Sequence, residues 1–226
     1  MMDVILMVVA SIFMVVFLSH MFFYWYSRST EMFGHPENQK VNCYLSEFDF
    51  AEKHKIVIHA SPEKVFAAIH NFDMRKSKVI NTLVFLRSIP YRLNSNREPD
   101  KQLPTKLSID QLTENGSWIL LEEVENQEVI IGFAGKFWQQ RPTNIQLSSA
   151  ADFINFNQTG YSKVAWNLYI ERNDDGTATL STETRILCLE GRAKSSFRLY
   201  WAIIRPYSGW IRLEMLKMIK ERAENH

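Results

Sequence analysis

The stretch GYSKVAWNLYIERNDDGTATLSTETRILCLE, residues 160–190, reads as two long antiparallel strands joined by a tight turn. Asn173-Asp174-Asp175-Gly176 is a strong turn signal, and both flanks are rich in β-branched and aromatic residues. In the first strand Val164, Trp166, Leu168 and Ile170 alternate with more polar positions, so one face is buried. Upstream, LSIDQL (107–112), SWILLEEV (117–124) and EVIIGFAGKFW (128–138) predict a meander of further antiparallel strands. The intervening SSAADFINFNQT predicts a short turn or helix. Downstream, residues 192–224 predict one long amphipathic helix. Phe197, Tyr200, Trp201 and Ile204 fall at i, i+3, i+4 and i+7, and Ile211, Met215, Met218 and Ile219 repeat the stripe. Pro206 lacks an N–H, so this helix is expected to kink or break near Arg205–Gly209.

Before the meander, HKIVIHA (54–60) is strand-like and SPEKVFAAI follows at once. Ser61 suits a helix cap, Pro62 the first helical position, and Glu63 the positive end of the helix dipole. VINTLVFLRSI (79–89) predicts a second helix ending at Pro90, and residues 91–105 predict a loop.

The N-terminus is of another kind. Residues 1–27 carry Asp3 as their one charge and no Lys or Arg, and Val4 to Phe23 is a 20-residue apolar run. As a helix it would span about 30 Å, the thickness of a bilayer core. Tyr24, Trp25 and Tyr26 suit the headgroup level, with Arg28 just beyond. A cleavable signal peptide would need a basic start and a small-residue cleavage site, and neither is present. A buried core helix is disfavoured because no polar face remains. The expectation is a transmembrane anchor over 1–27, a linker over 28–50 and a folded domain over 51–226. Asp3 before the span and Arg28 after it lean toward a single-pass protein whose C-terminal domain is cytoplasmic.

Several function classes are excluded or unsupported. With Lys+Arg 26 against Asp+Glu 25 there is no global basic field for nucleic acid. Cys43 and Cys188 lie far apart, which excludes a disulfide scaffold or a cysteine zinc finger. The six histidines show no H-x-x-x-H spacing, so no metal site is expected. No nucleophile elbow, P-loop or dinucleotide-binding glycine motif occurs, and no cofactor is expected. The 192–224 helix is locally basic, which suits either a solvated face or contact with anionic lipid.

The order of strand, SPEKVF helix, second helix, antiparallel strands and long closing helix resembles the SRPBCC superfamily. Its members include START lipid-transfer domains, polyketide cyclases and aromatases, and plant pathogenesis-related allergens. The residues that carry the resemblance are IVIHASPEKVFAAI, EVIIGFAGKFW, GYSKVAWNLYIERNDDGTATLSTETRI and the helix from FRLYWAIIRPYSGWIR onward, covering about residues 50–224. It implies an α+β helix-grip fold, in which a curved antiparallel sheet wraps the last helix and leaves a cavity for an apolar or amphipathic small molecule. It supplies no catalytic residue, and the N-terminal anchor departs from the simplest members.

The aromatics Phe133, Phe137, Trp138, Trp166, Phe197, Tyr200 and Trp201 are the candidate cavity walls, with plain core packing as the alternative for each. Glu183 and Arg185 share one strand face and are the candidate polar or catalytic pair. They are read three ways: a buried structural pair, a ligand-facing pair, or an exposed pair worth little. Arg205 is a further charge near a cavity mouth, and the Pro206 region or loop 91–105 a gate. Three functions stay open. The first is membrane-tethered binding of a hydrophobic, lipid- or polyketide-like ligand. The second is a cyclase-, aromatase- or hydrolase-like enzyme using Glu183 and Arg185. The third is an interaction module whose cavity is filled by its own side chains.

Overall fold

The computed structural model describes residues 14, 17–18, 21–22, 39–83, 85, 108–114, 118–139 and 143–225. The described chain is an α+β protein: an antiparallel sheet with a long C-terminal helix across one face. The strands are β1 (Phe50–Ile58), β2 (Ile119–Val124), β3 (Glu128–Lys136), β4 (Thr143–Ile145), β5 (Ser162–Arg172) and β6 (Ala178–Cys188). Their order is β1-β6-β5-β3-β2, with β4 paired to β3. The helices are α1 (Val41–Tyr44), α2 (Pro62–Asn71), α3 (Ile109–Glu114), α4 (Ala150–Asn155) and α5 (Gly191–Asn225).

Register assigns the two faces. Val164 pairs with Ile186, Trp166 with Thr184, Leu168 with Thr182 and Ile170 with Leu180 across β5 and β6. The same layer continues into β1 through Phe50, Glu52, His54, Ile56 and Ile58, and into β3 through Val129, Ile131 and Phe133. This front face meets α2 and α5. Ile58, Val65, Ile69, Leu168, Leu180, Leu216 and Ile219 form the main core there. On the back face Val41, Leu45, Leu121, Ile130, Phe153 and Ala165 make a second cluster beneath α1 and α4.

Turn chemistry follows the sequence. Gly176 takes φ 82° between β5 and β6, and Asn126 takes φ 60° between β2 and β3. Both belong to the left-handed region that glycine and asparagine tolerate best. In α2 Pro62 stands in the first turn and Val65, Ala68 and Ile69 point inward. Ser61 holds the cap position without bonding a helix N–H. Its hydroxyl instead helps hold the Glu63 carboxyl below the usual carboxylate range, with Arg172 adding to the effect.

Four expectations change. LSIDQL is helical over Ile109–Glu114, because Ser108 caps it: the Gln111 N–H donates to Ser108 Oγ at 3.4 Å. Strand β1 starts at Phe50, earlier than the apolar run suggests. The stretch expected to be linker contains a packed segment, with Val41 and Leu45 buried against the sheet. Helix α5 continues through Pro206, which is itself buried, so the helix does not break there. Of the expected second helix, 78–83 is helical and the remainder falls largely outside the described residues, as does the 91–105 loop. The 1–27 span also lies outside them, apart from Met14, Phe17, Leu18, Met21 and Phe22, which are helical and exposed. Among the described residues no helix is long and apolar enough to cross a membrane.

Candidate functional site

The front face is filled by α2 and the second half of α5 at one end and left open at the other. There β1, β6, β5 and β3 face the first half of α5, and a cavity of about 300 Å³ remains. Its apolar walls are Trp118, Phe133, Phe137, Val164, Ile186, Tyr200, Trp201 and Ile204. Edge-to-face ring contacts brace them: Trp118 to Phe133 at 4.5 Å, and Phe133 to Phe137 at 5.2 Å between centroids. Such pairs hold rings at fixed angles, so they resist collapse into the gap.

The other wall is polar. Thr184, Ser208, Arg212 and Asn144 reach the same cavity. Arg212 Nε and Nη2 donate to Thr184 Oγ1 at 3.1 and 2.8 Å. Its Nη1 donates to the Ser208 carbonyl at 3.0 Å and to the Ser208 hydroxyl. Behind the guanidinium lies Glu52, whose Oε2 is 3.5 Å from Arg212 Nη1 and has no hydrogen-bond partner. Glu52 Oε1 is 3.0 Å from His54 Nε2. Glu52 is 1% exposed and His54 0%, so these contacts lie in the interior and not at the surface. Burial pulls the Arg212 guanidinium below its ordinary value while Glu52 pushes it back up. Next to it, Trp166 Nε1 donates to Thr182 Oγ1 at 2.6 Å.

Of the residues singled out in the sequence, Phe133, Phe137, Tyr200 and Trp201 line the cavity. Phe197 is fully buried behind them, stacked on Trp201 at 5.6 Å, and Trp138 packs on Phe197. Trp166 sits against Trp118 at the cavity margin. Arg205 lines a shallower outer cleft with Asp49, Arg198, Trp201 and Met21.

Glu183 and Arg185 lie elsewhere, on the back face. Arg185 Nε donates to Glu183 Oε1 at 2.6 Å, and both are buried, at 1% and 0% exposed. Arg185 Nη1 also donates to Asn42 Oδ1 at 2.7 Å and to the Leu45 carbonyl at 3.0 Å, and the guanidinium lies 5.0 Å from the Phe48 ring centre. The pair therefore fastens residues 42–48 to the sheet and does not join the aromatics. Asn167 extends this network, taking the Glu183 N–H and donating to Glu128 Oε1 at 2.6 Å. Burial raises the Glu128 carboxyl above its ordinary value, against the bonds from Asn167 and the backbone of Lys40 and Val41.

The residues missed in the sequence are Trp118, Asn144 and Ile186 on the walls, together with Glu52, His54, Thr184, Ser208 and Arg212. A signal existed for three of them. Glu52 and His54 share parity with Ile56 and Ile58, and Arg212 lies four residues after Ser208 and eleven after Trp201, on the inward stripe. A charge at a buried parity needs a partner, and only the fold brings these partners together.

No protein-family model matches the sequence, and no curated protein matches it. Among solved structures, the crystal structure of a hypothetical protein from Helicobacter pylori aligns with 86% of this chain and 99% of its own. Identity is 10% and the TM-score 0.37.

Proposed function

We propose that this is a helix-grip domain that binds an apolar or amphipathic small molecule between the sheet and α5, tethered to a membrane by its N-terminal apolar stretch. The observation that carries the reading is the aromatic-walled cavity with one polar wall, the usual composition of a small-molecule site. Its volume lies at the low end of the roughly 300–1,000 Å³ range of such sites, which favours a single apolar body over a two-chain lipid.

The outer surface of the same half of α5 supports the tethered arrangement. Leu199 and Ile203 are 70% and 55% exposed, one turn apart, and Arg192 and Arg198 are exposed nearby. No acidic residue occurs in this half, whereas the second half carries the ion pairs Lys217–Glu214 and Lys220–Glu224. Exposed apolar residues flanked by cations suit the headgroup region of an anionic bilayer. Met21 of the N-terminal stretch shares the outer cleft with Trp201 and Ala202, at this end of the helix.

No observation favours a second, enzymatic reading built on Glu183 and Arg185. The test is native mass spectrometry of the full chain purified from its own host and released from detergent, followed by extraction of whatever is bound. A stoichiometric apolar molecule, lost on Trp201→Ala while the protein stays folded, is expected. A clean unliganded mass that lipid extract does not shift would instead make the domain an interaction module.

A further inference from the structure

The polar wall also constrains the head of the ligand, given the cavity-binding reading above. A guanidinium has five N–H groups. In Arg212, Nε and one Nη2 hydrogen serve Thr184 Oγ1, and Nη1 serves Ser208 twice, which leaves one Nη2 hydrogen without an assigned acceptor among the described residues. The Thr184 and Ser208 hydroxyl oxygens are engaged as acceptors by Arg212, so their own hydrogens are free to turn toward the cavity. Arg212, Thr184 and Ser208 thus present donors, with the Asn144 amide, both donor and acceptor, further along the wall, and the Arg212 side asks for an acceptor oxygen.

Charge then separates two kinds of acceptor. Arg212 is already paired with buried Glu52, and Glu52 with His54. Arg212 and Glu52 thus make one cation–anion pair at this wall, and no other Lys, Arg, Asp or Glu lines the cavity among the described residues. A carboxylate or phosphate head would add a net negative charge inside a largely apolar cavity, at a desolvation cost with no second cation among the described lining residues to offset it. A carbonyl oxygen meets the donors without adding charge.

We propose that the cavity selects uncharged apolar molecules bearing a carbonyl oxygen, such as ketones, esters or quinones, over acids with the same apolar body, and that Glu52 enforces the choice by neutralising Arg212. The experiment uses the full chain in phosphatidylcholine nanodiscs at about pH 8. Binding of 2-decanone and of decanoate is measured by isothermal titration, with empty nanodiscs as the reference for partitioning. Wild type is expected to favour the ketone by at least about tenfold. Glu52→Gln frees the Arg212 charge, so the ketone-to-acid ratio is expected to shift toward decanoate by a similar factor, and partitioning cancels in that comparison. Wild-type affinity for decanoate equal to or above that for 2-decanone overturns the inference while leaving the cavity reading intact. An unchanged ratio in folded Glu52→Gln also overturns it. If Glu52→Gln does not fold, the wild-type ratio decides. Failure of both probes to bind folded wild type overturns the cavity reading and this inference with it.

Discussion

Arg185 is buried and the Arg212 side chain is 15% exposed, yet the side of the sheet decides what each can do. Arg212 faces a cavity and keeps a donor for it, whereas Arg185 spends its donors on Glu183, Asn42 and the Leu45 carbonyl. Arg185→Met removes the Nε donor to Glu183 Oε1 and leaves this buried carboxylate with Lys53 Nζ 4.0 Å from its other oxygen, and removal of one member of a buried pair costs about 3–5 kcal/mol. Urea unfolding should show that loss, while ligand affinity of the folded fraction stays at the wild-type value. A drop in affinity without a drop in stability would return Arg185 to the binding site. Glu128 gives a pH signature. Its carboxyl is raised by burial, so the folded chain holds the proton more tightly than the unfolded one. Its contribution to stability is therefore full below the ordinary value of 4.5 and is lost as pH rises through the raised folded value. The stability of wild type minus that of Glu128→Gln, followed by thermal unfolding from about pH 4 upward, should fall with pH. A flat or rising difference would contradict the burial argument.

At the scale of elements, the shortest strand has a direct link to the site. Strand β4 carries Asn144 on the cavity wall and is held to β3 through Ala134, Gly135 and Lys136. A Cβ at Gly135 would come within 2.6 Å of the Thr143 carbonyl oxygen, a backbone atom that cannot swing aside. Gly135→Ala is expected to lower stability by about 1–3 kcal/mol and to speed amide exchange over 143–145, since overpacking is relieved by backbone shifts. Wild-type exchange in β4 would show that the contact is absorbed elsewhere. The helix Ile109–Glu114 shows how an element is misread. Leu107, Ile109 and alternating polar residues imitate a strand, but Ser108 and Gln111 stand at the spacing of a capping box, and a local cap outweighs so short an alternation. Beta-branched content revealed β5 and β6 at once, whereas the less apolar start of β1, Phe50 to Lys53, hid four of its residues.

Across the whole molecule, the segment 39–48 completes the domain. Val41 and Leu45 close the back cluster, the Lys40 N–H donates to Glu128 Oε2 at 2.8 Å, and Arg185 depends on Asn42 and Leu45. A chain starting at Gln39 should therefore melt well above one starting at Asp49, and equal melting temperatures would show the segment to be dispensable. The sequence by itself determined the local grammar: the Asn-Asp-Asp-Gly turn, the two long strands, the SPEKVF helix, the α5 stripe and the apolar N-terminal run. Each is set by chemistry within a few residues, through φ preference, side-chain alternation or helical period. It also named four of the cavity's aromatic walls, because large rings on inward parities must pack somewhere. Only the tertiary structure decided which buried charges meet. Glu52 and Arg212 are 160 positions apart, and Arg185 and Asn42 are 143 apart, so their pairing follows from strand register and helix docking that no local pattern encodes. It likewise decided that Glu183 and Arg185 face away from α5, because parity fixes which residues share a face but not which face the long helix covers.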